Sequence, residues 1–271
     1  MIIVDGKAIA RSLIDELKKK PTPNRFLAVF VVGDHIASHT FISRKEKIAQ
    51  ELGVDFRITH LAQESLTSQV CDAVSRVASD DLCGGIVVQL PLPAHIDAHA
   101  VLNTIPPEKD IEVLSEKSLG AFYTRRSLVL PPAVSVVDIV LNRVGIPREN
   151  LFSVAVVGQG LLVGRPVTAW FAGAVPVVYA LNKGSDLGLL SHADIVICGA
   201  GHSHLIKSSM LKTGAGVIDF GCDFDEQTRM VCGDFDASSV EGLSFYTPTP
   251  GGTGPILIAC LFSNFFMCAH A

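Results

Sequence analysis

Apolar and polar positions along this chain change period from block to block, and each period predicts an element. Between Ala8 and Lys19 the apolar residues Ile9, Leu13, Ile14 and Leu17 recur at helical spacing, and the block closes on lysines, which suit a helix C-terminus. Phe26 to Val32 is an unbroken apolar run ending at Gly33-Asp34, the pattern of a buried strand. Ser38 to Leu52 reads as a helix with Arg44, Lys45 and Lys47 on one side. Asp55 to Leu61 is a second strand and Ser65 to Ala78 a second helix. Gly84 to Pro93 is a buried strand stopped by prolines.

Near Pro131 the alternation starts afresh. Val134 to Val144 and Leu161 to Ala172 have helical patterns, with a shorter helical segment at Ser208 to Leu211. Phe152 to Val157, Val175 to Ala180, Ile195 to Cys198 and Val217 to Phe220 are short β-rich runs, and Ile256 to Phe266 is an apolar run that reads as a buried helix. Strand and helix in regular alternation imply parallel pairing with helices on both faces. The fold class is therefore α/β: two α/β domains with a cleft between them, and such clefts are where ligands bind.

Composition narrows the class of function. Of 271 residues 48% are hydrophobic and 18% charged, so core burial is not limiting and a disordered chain is excluded. A formal net charge of −5 argues against nucleic acid or an anionic membrane as the main partner. No apolar run reaches the roughly eighteen residues that crossing a bilayer needs. The opening Met1 to Lys7 lacks the basic-then-apolar pattern of a secretory leader. The seven cysteines are scattered, with no C-x-x-C pair, and read as reduced, mostly buried thiols in a cytoplasmic protein.

Val154 to Pro166 has the order strand, glycine loop, helix. Gly158 and Gly160 would let backbone approach a pyrophosphate, whose charge the following helix N-terminus favours. The spacing G-x-G-x-x-x-G is one residue longer than the common dinucleotide fingerprint, and a tight turn without ligand is the alternative. Read as a dinucleotide site, this loop would sit on a Rossmann-type parallel sheet. The next strand ends at Leu181-Asn182-Lys183 with no acidic residue for a ribose hydroxyl, so NADP and NAD both stay open. Lys45 follows Phe41 by one helical turn, so the two share a face. A buried lysine can carry protons, and Gln89 could position it; a solvated basic cluster is the bland alternative. Asp110 and Glu112 alternate just past the first sheet and could together bond an amino-heterocycle, or be exposed loop charge. His202-Ser203-His204 has no Cys, Asp or Glu ligand within a few residues, so no metal is expected. Thr247 to Pro255 packs prolines and glycines so densely that it must be a shaped loop, of the kind that brings backbone close to a ligand; a plain tight turn before a terminal helix is the alternative.

In this order these motifs resemble the bifunctional methylenetetrahydrofolate dehydrogenase/cyclohydrolase family over essentially the whole chain. The resemblance rests on Val4-Asp5-Gly6-Lys7, Val32-Gly33-Asp34 with Ala37-Ser38, Lys45-Glu46-Lys47, Gly85 to Pro93, Pro107-Glu108-Lys109-Asp110, Val163-Gly164-Arg165-Pro166, Ala193-Asp194-Ile195-Val196 and Pro250 to Pro255. It implies a folate-side domain over residues 1–132, joined by a returning helix over 255–271, and a Rossmann domain over 133–254 that forms a homodimer. It implies oxidation of 5,10-methylenetetrahydrofolate with NADP or NAD, then hydrolysis to 10-formyltetrahydrofolate, with tetrahydrofolate as the carrier. By position, Lys45 falls on the lysine central to hydrolysis and Gln89 on the glutamine that tunes it. Phe41, Glu112, Pro250, Gly251 and Gly252 fall on the substrate side. Gly158, Gln159, Gly160, Val163, Gly164, Arg165 and Thr253 fall on the cofactor side.

The chain departs from the family pattern at several of these positions. Phe41 stands for a tyrosine, Glu112 for an aspartate, and Val113 for the glycine after it. Pro131-Pro132-Ala133-Val134 replaces P-C-T-P, Gln159-Gly160 replaces the common Arg-Ser, and Leu181 replaces a serine near the 2′-phosphate. A dehydrogenase without the second activity, and a folate binder without turnover, are the alternatives this leaves.

Overall fold

A computed structural model describes residues 1–34, 36–225 and 230–271. In chain order the elements are β1 (Ile2–Ile3), α1 (Gly6–Lys18), β2 (Phe26–Val32), α2 (Ile36–Leu52), β3 (Phe56–Leu61), α3 (Thr67–Ala78) and β4 (Cys83–Val88). After these come α4 (Ala98–Leu102), α5 (Glu116–Tyr123), α6 (Pro132–Arg143), β5 (Ser153–Val157), α7 (Gly164–Phe171) and β6 (Val177–Leu181). The chain closes with β7 (Ile195–Cys198), β8 (Gly216–Asp219), β9 (Asp223–Asp225), β10 (Met230–Cys232), β11 (Phe245–Tyr246) and α8 (Thr253–His270). Its contacts divide it into two compact units, residues 11–132 with 258–271 and residues 1–10 with 133–257.

In the unit of residues 11–132 and 258–271, β2 lies between β3 and β4, both parallel to it. Every residue of β2 and β4 is buried, which is why both read as unbroken apolar runs rather than alternating ones. Gly84 and Gly85 let α8 approach β4. A Cβ on Gly84 would stand 2.8 Å from the Ala269 Cβ, and one on Gly85 2.9 Å from both Ile111 and the Phe265 ring. By length and composition α8 could cross a membrane, because the apolar character extends beyond the run Ile256 to Phe266. In this protein 67% of it is buried inside the fold, as befits a core helix. Its one buried amide, Asn264, donates to the carbonyls of Ile111 and Leu130, each at 2.8 Å.

The unit of residues 1–10 and 133–257 holds a six-stranded parallel sheet in the order β1-β11-β8-β7-β5-β6. The first ten residues group here, whereas the resemblance implies a first domain running from residue 1. The physical reason is that Ile2 and Ile3 pair with Phe245 and Tyr246. Two-residue strands such as β1 and β11 are too short to show a period. Below the sheet Ala155, Val196, Cys198, Val217, Phe235 and Tyr246 belong to one buried cluster. The helix after the glycine loop starts at Gly164 rather than Leu161, and Ser208–Met210 is a single 3-10 turn.

Candidate active site

Helical spacing puts Lys45 one turn after Phe41 on α2, and the lysine is 6% exposed while Phe41 is half-buried. The Lys45 Nζ donates to Gln89 Oε1 at 3.1 Å and lies 3.9 Å from Glu112 Oε1. Gln89 is held at both ends: its backbone N–H donates to the Phe30 carbonyl at 2.9 Å, and its side-chain Nε2 to the Leu90 carbonyl at 2.9 Å. Its remaining oxygen is thereby turned to the lysine. Burial raises the Glu112 carboxyl above the ordinary glutamate range; Lys45 pulls it back down and Asp110 pushes it further up.

The two carboxyl groups of this segment do not act as a pair. Asp110 is 1% exposed and accepts N–H groups from Leu114 and Ser115 at 2.8–3.1 Å, capping the turn that leads into α5. Only Glu112 turns to Lys45. Asn264 of α8, through its bond to the Ile111 carbonyl, pins the residue just before it. A side-chain amide inside an apolar helical run is the signal that could have marked Asn264.

In the other unit, Gly158 ends β5 at φ +86°, and a Cβ there would stand 2.6 Å from the Gly199 carbonyl oxygen and 2.7 Å from the Ala200 nitrogen. Glycine is required so that the loop after β7 can rest against it. A Cβ on Gly164 would overlap the Gly158 carbonyl, while none at Gly160 would meet a protein atom within 4 Å. Gln159 turns inward: its Nε2 donates to the Val156 carbonyl at 3.0 Å, and its Oε1 accepts from Thr168 at 3.1 Å. Arg165 donates from Nε to the Gln159 carbonyl at 3.1 Å. Val163 precedes the first turn of α7 and packs on Gly199. Leu181 is buried; Asn182 and Lys183 beyond it are exposed.

Thr247 to Thr253 is tied down at both ends by the backbone of Asp219. The Asp219 N–H donates to Thr247 Oγ1, and Thr253 Oγ1 donates to the Asp219 carbonyl, each at 2.7 Å. Pro250 and Gly251 lie between these ties, Gly251 at φ +105°. Gly6 fits beneath Gly252, whose carbonyl a Cβ on Gly6 would overlap. The Asp219 carboxyl is itself 1% exposed, and burial pushes it up to about 7 against the opposing pull of its backbone N–H bonds. His204, at φ +57°, places its Nδ1 3.8 Å from Asp236.

Known proteins decide what this arrangement belongs to. Residues 4–112 match the catalytic-domain model of tetrahydrofolate dehydrogenase/cyclohydrolase, and residues 131–271 match its NAD(P)-binding-domain model. This chain belongs to that family. The bifunctional protein FolD of Halothermothrix orenii is 35% identical, over 97% of this chain and 95% of its own. That of Exiguobacterium sp. is 34% identical, over 97% and 96%. The solved bifunctional FolD of Campylobacter jejuni superposes at a TM-score of 0.94 with 32% identity, covering 100% of this chain and 99% of its own. The Trypanosoma brucei enzyme, solved with NADP cofactor and inhibitor, reaches 0.91 with 27% identity, over 99% and 97%. The chain is accordingly a folate-interconverting dehydrogenase and cyclohydrolase that uses NAD(P). Against the family pattern, Val113 keeps a left-handed φ of +58° at a position where glycine is usual. For a β-branched residue this costs about 1–2 kcal/mol, and it lies directly beside Glu112.

Proposed function

We propose that Lys45 is the proton carrier for hydrolysis of 5,10-methenyltetrahydrofolate to the 10-formyl form. The observation that carries this is its burial within reach of Gln89 and Glu112. Hydrolysis adds water to the methenyl carbon, releases a proton, and breaks one carbon–nitrogen bond so that the formyl group stays on N10. A lysine can take the proton from the incoming water and return one to the departing nitrogen. Gln89 fixes the lysine's direction, Glu112 supplies the opposing carboxyl, and the Phe41 ring stacks on the aminobenzoyl part of the folate. Pro250, Gly251 and Gly252 line the substrate.

The glycine loop fits a nicotinamide dinucleotide, because the open space at Gly160 exposes backbone where a pyrophosphate must approach. Gly158, Gly160, Val163, Gly164, Arg165 and Thr253 would hold it. Gln159 contributes through its backbone, since its side chain is occupied within the loop. A nicotinamide bound there would supply the hydride acceptor for oxidation of the methylene carbon to methenyl. The Rossmann unit forms the interface of a homodimer, and the protein works in the cytoplasm. In this reading residues 11–132 with α8 form the folate side, and 133–254 the cofactor side.

Purified protein given 5,10-methylenetetrahydrofolate with NADP or NAD tests the reading. Reduced cofactor is expected, and the faster of the two identifies the preference. Protein that binds folate yet reduces neither cofactor would overturn it. Methenyl substrate that decays no faster than in buffer would overturn the role given to Lys45.

A further inference from the structure

Two carboxyl groups in the dinucleotide-binding unit are more deeply buried than Lys45, and no step of the proposed chemistry uses them. Asp219 ends β8 and is 1% exposed; Asp234 follows β10 and is 0% exposed. Backbone N–H groups converge on both. Asp234 Oδ2 accepts from Ala200 at 2.6 Å and Gly201 at 3.3 Å, and its Oδ1 from His202 at 2.7 Å. Asp219 Oδ1 accepts from Gly221 at 2.7 Å and from Asp234 itself at 3.3 Å, and its Oδ2 from Phe235 at 3.0 Å.

The donors belong to segments that touch the two ligand loops. Ala200 is the residue against which Gly158 rests, so Asp234 holds the support beneath the glycine loop. The Asp219 backbone ties both ends of the loop Thr247 to Thr253. Its carboxyl lies against Gly233, which in turn touches Thr249 of that loop. The contact between Asp219 Oδ1 and the Asp234 N–H joins the two halves.

We propose that Asp219 and Asp234 are a pair of positioning residues for the dehydrogenase reaction, setting the glycine loop and the Pro250 loop in register with one another. They touch neither substrate nor cofactor and act through the backbone they hold. The inference rests on the functional reading above, in which those two loops hold cofactor and substrate. Hydride transfer is sensitive to placement, and a shift of about 1 Å can cost on the order of 100-fold. The hydrolysis centred on Lys45 shares the Pro250 loop through its substrate but needs neither the glycine loop nor a second ring in register, so it should depend on the pair less.

The two activities therefore serve as internal controls for one another. In Asp234→Asn, one acceptor oxygen becomes an NH2 that faces a backbone N–H. The variant should lose about 100-fold in NAD(P)-dependent oxidation. Its KM for the cofactor should rise, and so should the isotope effect with deuterated methylene substrate, while hydrolysis of added methenyltetrahydrofolate stays within about twofold of wild type. Thr247→Val is a milder variant of nearly the same shape that leaves the Asp219 N–H without its acceptor; it should lower oxidation about tenfold, with hydrolysis falling less because it requires no cofactor in register. Equal loss of both activities in both variants, or full retention of oxidation in either, would overturn the positioning role. Wild-type protein that reduces neither cofactor would instead overturn the functional reading beneath it.

Discussion

Lys45 and Asp219 are both buried ionisable residues, one in each unit, and what answers them differs. Among the described residues Lys45 meets the side chains of Gln89 at 3.1 Å and Glu112 at 3.9 Å. Asp219 meets backbone N–H groups of Gly221, Asp234 and Phe235. Contacts between side chains can be exchanged for contacts to a ligand while the chain stays where it is. Contacts to backbone cannot be exchanged without moving a loop. The first arrangement suits a group that works on substrate, and the second suits a group that sets where other groups stand.

The contrast can be broken most severely at the lysine. Lys45→Met should lower methenyl hydrolysis by about 100-fold or more and leave the thermal unfolding transition near that of wild type. Unchanged hydrolysis would remove Lys45 from the mechanism. Next in size is Asn264→Leu, which strands the buried carbonyls of Ile111 and Leu130. A loss of about 2 kcal/mol in denaturant unfolding is expected, with weaker hydrolysis because Glu112 loses its anchor. Retained stability would show that these carbonyls find other donors.

A smaller effect sharpens the Asp219 side. Its carboxyl is held at about 7 in the folded protein, far above an unfolded aspartate, so the folded state keeps the proton to higher pH. Stability should therefore be greatest below the unfolded value, fall as pH rises toward about 7, and level off above it. Urea midpoints across that range test the sign. Asp219→Asn should flatten part of the slope, and the remainder should include Glu112, which burial shifts in the same direction. A slope rising with pH would contradict the assignment. Smallest of all, Glu112→Asp withdraws the carboxyl by one methylene from a contact already at 3.9 Å. Hydrolysis should change by no more than about fivefold, the scale of a weak ion pair, as measured by steady-state kinetics.

The parts of this molecule written in long periodic runs could be read directly. Strands β2 and β4 announce themselves because burial on both faces leaves no polar residue in them, and Lys45 follows Phe41 at one helical turn. Gln89 and the Pro250 loop were visible as polar and proline-glycine punctuation beside apolar runs. Other features were hidden for definite reasons. The pairing of β1 with β11 joins residues more than two hundred positions apart through strands of two residues each. Asp110 and Glu112 look alike in sequence, and only the turn at Leu114 and Ser115 separates a structural cap from a partner of Lys45. Gln159 lies in the glycine loop, but its amide closes on Val156 and Thr168. Asp219 and Asp234 are single carboxylates at strand ends, and nothing in their spacing tells of the backbone groups that surround them.

The most direct test of this division of labour is one absorbance time course run on three proteins with 5,10-methylenetetrahydrofolate and the preferred nicotinamide cofactor. Wild type should reduce the cofactor and show methenyltetrahydrofolate that rises and then decays. Lys45→Met should reduce the cofactor while methenyltetrahydrofolate accumulates. Asp234→Asn should reduce little cofactor yet still clear methenyltetrahydrofolate added from outside. If both variants lose both activities together, the separation of a working lysine from a positioning carboxyl pair is wrong.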